Sequence, residues 1–339
     1  MSKVVLGFSG GVDSAVSAVL LKKAGFEVHG LYLDNTSAQT RQEAIDAAER
    51  MGVELTVMDV HAELEARVCG PFAASYLRGE TPNPCILCNP TMKFPMLLRE
   101  AERIGAELVA TGHYARAEGG ALYKGMPAND QSYMLCRLSR EQVKRLTLPL
   151  GVYEKKQVRA MAEDFGLPAA HKKDSMEICF IPDKDYVGWI ARRRALPGPG
   201  EFVFHGETVG QHAGIVNWTV GQRIPGLHGG RKLYVSRIDA EKNEIELALW
   251  EELFRTSLLA RDFNWLVDAP PGTTLPASVR VRHTKWEEPP CAVTALSDGM
   301  ARIVCETPVR APAPGQSAVL YQGDRVLGGG FLTEAGRAL

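Results

Sequence analysis

The segment Thr81-Pro82-Asn83-Pro84-Cys85-Ile86-Leu87-Cys88-Asn89-Pro90 holds the only closely spaced cysteines of the chain. Asn89 as a helix cap with Pro90 at the first helical position is a sound start for the helical run Thr91 to Arg103, with Cys88 beside its positive end. A thiol placed there ionises more readily, which makes Cys88 a candidate nucleophile or metal ligand. The pair is also half of a structural zinc site, but no second C-x-x-C or Cys-His pair completes one. A third thiol, Cys179, ends the stretch Lys172-Lys173-Asp174-Ser175-Met176-Glu177-Ile178, where a charged binding loop and a core strand are equal readings. Cys69, Cys136, Cys291 and Cys305 lie in apolar or alternating contexts and read as buried. Seven cysteines, an odd number, and no export signal at the first residues argue against a disulfide framework.

The second feature with chemistry in it is Ser9-Gly10-Gly11-Val12-Asp13-Ser14. It follows the apolar run Lys3 to Phe8 and precedes Ala15, Val16, Ala18, Val19, Leu20 and Leu21, so it reads as a glycine loop between strand and helix. There, successive backbone N–H groups and the helix N-terminus converge on an anion. The plain alternative is a turn in which Ser or Asp caps the helix. The loop lacks the Gly-Lys-Ser/Thr ending of a Walker P-loop, so no lysine here holds β and γ phosphates. Its sequence resembles the PP-loop of the N-type ATP pyrophosphatases. That resemblance implies cleavage of ATP between the α and β phosphates, giving an adenylated substrate and pyrophosphate.

The elements that must carry these residues alternate. Val28 to Leu33 and Val53 to Val60 read as strands, Arg41 to Arg50 as a helix, and further helices fall around Ala62 to Leu77 and Thr91 to Ile104, before the strand Glu107 to Thr111. Alternation of this kind predicts an α/β domain with a doubly wound parallel sheet, and the PP-loop resemblance implies that it is of the adenine nucleotide alpha hydrolase-like kind. From Pro197-Gly198-Pro199-Gly200 onward glycine and proline become frequent and helical periodicity fades. We therefore divide the chain into a catalytic PP-loop domain over 1–195, a small mixed or β domain over 196–253 and a C-terminal β-barrel over 254–339.

At 339 residues with 45% hydrophobic and 23% charged side chains, the chain has the makeup of an ordinary folded protein of two or three domains. No stretch approaches 18 consecutive apolar residues, and the expected address is cytoplasmic, with no membrane partner. A net charge of -1, from 39 basic and 40 acidic residues, provides no global attraction for nucleic acid. Any polyanion must be held by local patches such as Lys155-Lys156, Lys172-Lys173, Arg192-Arg193-Arg194 or Arg280-Arg282-Lys285, each of which also reads as a solvated face.

Taken together, these segments resemble the tRNA-specific 2-thiouridylases, the MnmA or TrmU family. The likeness runs through Gly7 to Ser14, Thr81 to Phe94, Thr111 to Arg116, Asp130 to Tyr133, Lys172 to Ile181, Thr219 to Arg223, Pro314 to Tyr321 and Gly328 to Gly330. It implies that Gly7, Phe8, Ser9, Gly10, Gly11, Val12, Asp13, Ser14, Leu33 and Gly112 contact ATP, which is accompanied by Mg²⁺. It makes Cys88 the nucleophile and Cys179 the persulfide carrier. Asn83, Pro84 and Cys85 then touch the target base, while Asn129, Asp130 and Gln131, and in the barrel Arg282 and His283, contact tRNA. His113 and Tyr114 either line the same cleft or serve the structure. The implied reaction adenylates C2 of the wobble uridine, flipped from its stack, and replaces its oxygen with sulfur from a donor protein or sulfide.

Many family members carry Asp where this chain has Cys85. Cys85, Cys88 and Cys179 instead offer three thiolates, enough to hold a [4Fe-4S] cluster with one iron open. The segment after Asn35 and the connection following Gly229-Gly230 are shorter than in many relatives. Two competing readings are a PP-loop ligase that adenylates a carboxylate, which leaves the cysteines without a role, and a non-catalytic RNA-binding relative.

Overall fold

Strand β1 (Lys3–Gly7) places Val4, Val5 and Leu6 where no solvent reaches them, as a strand covered on both faces requires. The computed structural model describes residues 2–35, 37–172, 178–226, 231–283 and 288–333, which form two compact units. The first comprises the chain up to Val68 together with Cys85–Pro182 and Asp324–Val326. In it β1 is followed by helix α1 (Val12–Lys23), strand β2 (Glu27–Asp34), helix α2 (Ala38–Arg50) and strand β3 (Glu54–Asp59). Strand β4 (Leu108–Ala110) pairs with the other edge of β1, and Leu146–Thr147 pairs with β4. The sheet order is thus β3, β2, β1, β4 and Leu146–Thr147, with every pairing parallel. The expected doubly wound sheet is present. Because the chain leaves β1 towards β2 on one side and reaches β4 on the other, a crevice opens beyond the C-terminal ends of β1 and β4.

The helices show why they pack as they do. Small residues Ala15 and Ala18 with Val16 and Leu21 are buried on α1, whereas α2 buries only Ala44 and Ala48 and shows its charged face to solvent. Phe94–Ile104 buries Phe94, Met96, Leu97 and Ala101 along one stripe and stops at Gly105, whose φ of 70° suits glycine.

One carboxylate on that helix is almost wholly buried. Glu100, 2% exposed, accepts hydrogen bonds from Arg103 Nε at 2.8 Å, Arg103 Nη2 at 2.7 Å and Thr56 Oγ1 at 2.6 Å, with His29 Nε2 at 3.0 Å. The Arg103 hydrogen bond is the main reason that its carboxyl falls to about 2. A carboxyl depressed in the folded state adds stability above its unfolded pKa, and that contribution is lost as pH falls through the folded value. Glu100→Gln is therefore expected to lower unfolding free energy at neutral pH by about 3 kcal/mol. Urea denaturation should show the gap to wild type closing as pH falls from about 4.5 towards 2; a gap independent of pH would refute the assignment.

The second unit comprises Cys69–Pro84, Asp183–Gly323 and the chain from Leu327. Phe72 packs edge-on to Trp189 at 5.9 Å between ring centroids, and Tyr76 lies 4.8 Å from Tyr186, which fixes Gly70–Leu77 against Tyr186–Ala191. A five-stranded sheet has the order Arg223–Ile224, Leu233–Asp239, Glu244–Ala248, Gly200–Phe204, Glu207–His212. A six-stranded barrel then runs Phe254–Trp265, Ala301–Arg310, Pro290–Ala295, Thr274–Arg280, Ser317–Gln322, Arg325–Leu332 and closes by pairing its last strand with its first, Ala260 opposite Leu332 and Trp265 opposite Gly328. Leu258, Val279, Val293, Ile303 and Leu320 fill its interior. The mixed middle sheet and the C-terminal barrel expected from the sequence are both there.

Candidate active site

The glycine loop occupies the crevice. Phe8, buried, donates its N–H to Leu31 O at 2.9 Å and so ties the end of β1 to β2. Gly10 turns the chain at φ 70°, with Ala44 of α2 directly behind it. Ser14 Oγ donates to Gly11 O at 3.0 Å and accepts the Ser9 N–H at 3.2 Å, so the serines brace the loop against itself. No side chain caps α1. The first amide to bond within the helix is that of Ala15, to Gly11 O, which leaves the amides of Val12, Asp13 and Ser14 without a partner inside the helix, at its crevice end. The capped-turn reading is thereby excluded, and the loop has the form of an anion site.

Gly112 lies beyond β4, against Asp13: a Cβ on it would stand 3.0 Å from that of Asp13. The Asp13 carboxylate accepts from Lys155 Nζ at 2.7 and 2.8 Å and from Tyr114 Oη at 2.7 Å. Lys155 is thus not the surface patch its sequence suggests. It is drawn into the loop by a carboxylate, while Lys156 stays exposed and pairs with Glu154 at 2.9 Å. Asn129, Asp130 and Gln131 support this arrangement. Asn129 Oδ1 accepts the Lys155 N–H at 3.2 Å, Gln131 Oε1 accepts the Tyr114 N–H at 3.0 Å, and Asp130, 9% exposed, accepts from the amides of Gly125 and Ser132.

At the end of β2, Leu33 is half-buried and Asp34 is 4% exposed. Asp34 Oδ2 accepts from Arg41 Nη1 at 2.7 Å, whereas its Oδ1 is buried without a hydrogen-bond partner. An ionised oxygen in that position is costly unless a ligand supplies a donor. Sequence reading passed over Asp34 and Arg41; the signal available was an acid closing an otherwise apolar strand at the ligand end of the sheet. The next residue, Asn35, donates through Nδ2 to Cys179 Sγ at 3.5 Å, so the third thiol reaches the same end of the sheet.

Cys85 and Cys88 sit on a helical segment that differs from expectation. Helix begins at Pro84, runs over Pro84–Cys88, passes through a π turn at Asn89–Lys93 and continues as Phe94–Ile104. Cys88 itself is helical, with φ −61° and ψ −45°, so Asn89 is no cap and no free helix N-terminus faces the thiol. The cause is proline tolerance: Pro90 and Pro95 lack N–H groups, and the wider turn re-routes the bonds. Phe94 N–H bonds to Asn89 O, five residues back, while Gln142 Nε2 takes Pro90 O at 3.1 Å and Arg67 Nη1 takes Thr91 O at 3.3 Å. Burial pushes the Cys88 thiol up to about 11; nearby Lys93 pulls it down, and Cys179 and Cys85 push it further up. The Cys85 residue is exposed, yet the protein packed behind its sulfur raises its thiol too. The expected easy ionisation of Cys88 is therefore absent: burial outweighs the one adjacent cation.

His113 completes this surroundings. It is stacked on Phe94 at 6.3 Å, its Nδ1 lies 2.7 Å from Thr111 Oγ1, and burial holds its pKa well below the usual value, so the imidazole is neutral at pH 7.

Cys85, Cys88 and Cys179 lie within electrostatic reach of one another. Among the described residues no group of three or more His, Cys, Asp or Glu is gathered as a single metal ion requires. The donor chemistry still suits a larger group: Cys179 raises Cys85, and Cys179 with Cys85 raises Cys88, a repulsion that a shared cationic cluster would relieve. The remaining cysteines, 69, 136, 291 and 305, are buried and take part in no disulfide among the described residues, as their contexts suggest.

Asn83 is half-buried and Pro84 is buried at the start of the cysteine helix. In the second unit Arg282 donates through Nη2 to Val220 O at 2.9 Å and to Ala311 O at 2.8 Å, next to exposed His283. Of the other basic runs, Lys172 pairs with Glu43 at 2.8 Å, Arg193 lies 3.7 Å over the Trp189 ring, and Arg280 pairs with Glu288. Lys173, Lys285 and the Gly229-Gly230 connection lie outside the described residues. No helix among the described residues is long and apolar enough to cross a membrane.

Three family models match successive stretches of the chain. Residues 2–183 match the family model described as the tRNA methyl transferase HUP domain, 193–248 its PRC-barrel domain and 255–332 the aminomethyltransferase beta-barrel domain. The chain is 39% identical over 362 residues to the tRNA-specific 2-thiouridylase MnmA of Geobacter metallireducens, covering 98% of this chain and 97% of that one. It is 40% identical to the protein of the same name from Pelotomaculum thermopropionicum, over 99% of this chain and 98% of that one. Against the Acidithiobacillus ferrooxidans protein of that name the identity is 40%, over 97% and 98%.

Proposed function

Because the chain belongs to the MnmA family of tRNA-specific 2-thiouridylases, we propose that it is an ATP-dependent tRNA sulfurtransferase that forms 2-thiouridine at the wobble position. The observation that carries this reading is the meeting of two sites at one end of one sheet. The uncapped start of α1 opens at the crevice, and Cys179 is held by Asn35, one residue after the half-satisfied Asp34.

ATP enters with Gly7 to Ser14, Leu33 and Gly112 around it. Amides of Val12, Asp13 and Ser14 and the helix dipole hold the departing pyrophosphate, and Asp34 Oδ1 accepts a donor from the nucleotide. Lys155, already at the loop, supplies positive charge as Asp13 yields it. Mg²⁺ bound to the triphosphate would offset its charge, with the Asp13 carboxylate the group in the loop that would hold it. The uridine C2 oxygen attacks the α phosphorus, pyrophosphate leaves, and an oxygen that was a poor leaving group becomes the bridging oxygen of an AMP ester.

Sulfur then replaces it. The terminal sulfur of a Cys179 persulfide attacks C2, and AMP departs with the former C2 oxygen. Cys88, having lost its proton, attacks Cys179 Sγ; the S–S bond to the transferred sulfur breaks, 2-thiouridine is released and a Cys88–Cys179 disulfide remains. A two-electron thiol reductant restores both thiols, and a sulfur-donor protein that carries a persulfide reloads Cys179 by passing on its outer sulfur and keeping its own thiol. Cys85, at the position where an acid is usual, supports a second form of the sulfur carrier: a [4Fe-4S] cluster on Cys85, Cys88 and Cys179 would present sulfide from its open iron without redox change. Asn83, Pro84 and Cys85 receive the flipped base, and Asn129 to Gln131, Arg282 and His283 contact the tRNA. A tRNA substrate sets the enzyme in the cytoplasm.

Incubation with ATP, Mg²⁺, a sulfide source and unmodified tRNA should yield AMP and pyrophosphate in step with tRNA consumed. Formation of ADP and phosphate, or AMP formation indifferent to tRNA, would refute the adenylation chemistry.

A further inference from the structure

A cavity of about 400 Å³ lies within the second unit, bounded by Arg78–Glu80, the middle sheet and the first barrel strand. Four arginines, 78, 237, 255 and 261, face it against two carboxylates, Glu80 and Glu246. Both carboxylates are occupied. Glu80 is shared by Arg78 at 2.7 Å and Arg261 at 2.9 Å, and Glu246 holds Arg237 at 2.8 Å. Arg255 is different. Its hydrogen bonds run through Nη1 alone, to the carbonyls of Glu252 at 2.7 Å and Phe254 at 2.9 Å, and no carboxylate among the described residues pairs with it. Those carbonyls fix one edge of a half-buried guanidinium and leave its Nε and Nη2 edge for a ligand, the fork that matches two phosphate oxygens.

The walls suit a nucleotide unit. Pro312, Pro314 and Leu253 give apolar surface for a ribose, while Gly79, at φ 75°, lets the chain pass so close to Ile238 that a Cβ would stand 2.8 Å from its Cγ2. Val220 and Ala311, two further wall residues, have their carbonyls held by Arg282. The floor is therefore built, and Arg282 is tied to it rather than available inside it.

We propose that this cavity takes a backbone phosphate of the tRNA, gripped by Arg255, and so sets the register in which the RNA lies on the second unit. This rests on the function proposed above. A chain of net charge -1 has no global field to draw RNA on and must place its phosphate contacts locally, and a phosphate contact positions RNA without reading its sequence. Arg255 is a substrate-positioning residue, with no part in bond making.

The test uses full-length protein and unmodified tRNA. Arg255→Ala should weaken tRNA binding roughly tenfold and reduce the slope of log affinity against log salt by about one, with kcat at saturating tRNA and the KM for ATP unchanged. Glu246→Gln, which removes a negative charge from the cavity, should tighten tRNA binding several-fold, a direction that misfolding does not produce. Unchanged affinity and slope in Arg255→Ala that melts like wild type would overturn the proposal. So would inorganic phosphate raising the melting temperature of wild type but not of Arg255→Ala while tRNA affinity stays the same, since the site would then serve a free anion. Wild-type protein that binds no tRNA would instead defeat the functional reading itself.

Discussion

Alanine in place of Cys179 is expected to abolish 2-thiouridine formation, by about 10³-fold or more, while AMP and pyrophosphate still form in the presence of tRNA. The separation follows from where the groups lie. In the proposed mechanism adenylation draws on the loop amides, Asp34 and Lys155, none of which bonds to the Cys179 sulfur, whose one described hydrogen bond is to Asn35. Cys88→Ala should differ in kind. With a preloaded persulfide, the first transfer to C2 can occur, but the RNA stays joined to Cys179 through a disulfide that Cys88 can no longer cleave. Non-reducing electrophoresis should show that adduct, and added thiol should discharge it. Equal loss of AMP formation in either variant would contradict the division of labour. Cys85→Ala separates the two forms of the sulfur carrier: persulfide chemistry survives it, whereas an iron-sulfur enzyme loses both iron and activity.

Gly10→Ala should disable the nucleotide half. Alanine at φ 70° costs roughly 1–2 kcal/mol in backbone strain. Its Cβ would also stand 2.9 Å from Ala44 Cα, a backbone atom of α2 that cannot turn aside. The loop must shift, and with it the amides of Val12 to Ser14. AMP formation is expected to fall by about 10²-fold or more, the scale of losing aligned donors at a developing charge. Gly11→Ala provides the contrast in folding, because Gly11 has φ −85° and the nearest atom to a Cβ there is Ser9 Oγ at 3.4 Å. Melting of Gly11→Ala should match wild type; similar destabilisation by both substitutions would show that Gly10 is not the constrained position.

The sequence makes some of this site readable and hides the rest for physical reasons. Ser9 to Ser14 declares itself because close approach to phosphate demands glycine, and the strand before and helix after are short-range patterns. The cysteine helix misleads because Pro90, ordinarily a helix opener, here sits inside a helix whose π turn is made possible by Gln142 and Arg67, more than twenty residues away in either direction. The pKa of Cys88 followed that error, since burial is a property of the packed chain. Lys155 reads as half of a basic pair until the fold sets it on Asp13, 142 positions earlier. Asp34 looks like the end of a strand until its second oxygen is found without a partner. The Glu100–His29 contact spans 71 positions, and neither residue has a local pattern to announce it.

The central claim is that one sheet end activates a uridine oxygen with ATP and replaces it with sulfur. Its most direct test is nucleoside mass spectrometry of unmodified tRNA incubated anaerobically with enzyme, ATP, Mg²⁺ and a sulfide or persulfide source. The account predicts new 2-thiouridine at the wobble position, dependent on ATP and absent with Cys179→Ala. Sulfur at another position, or RNA left without sulfur while ATP is consumed, would contradict it.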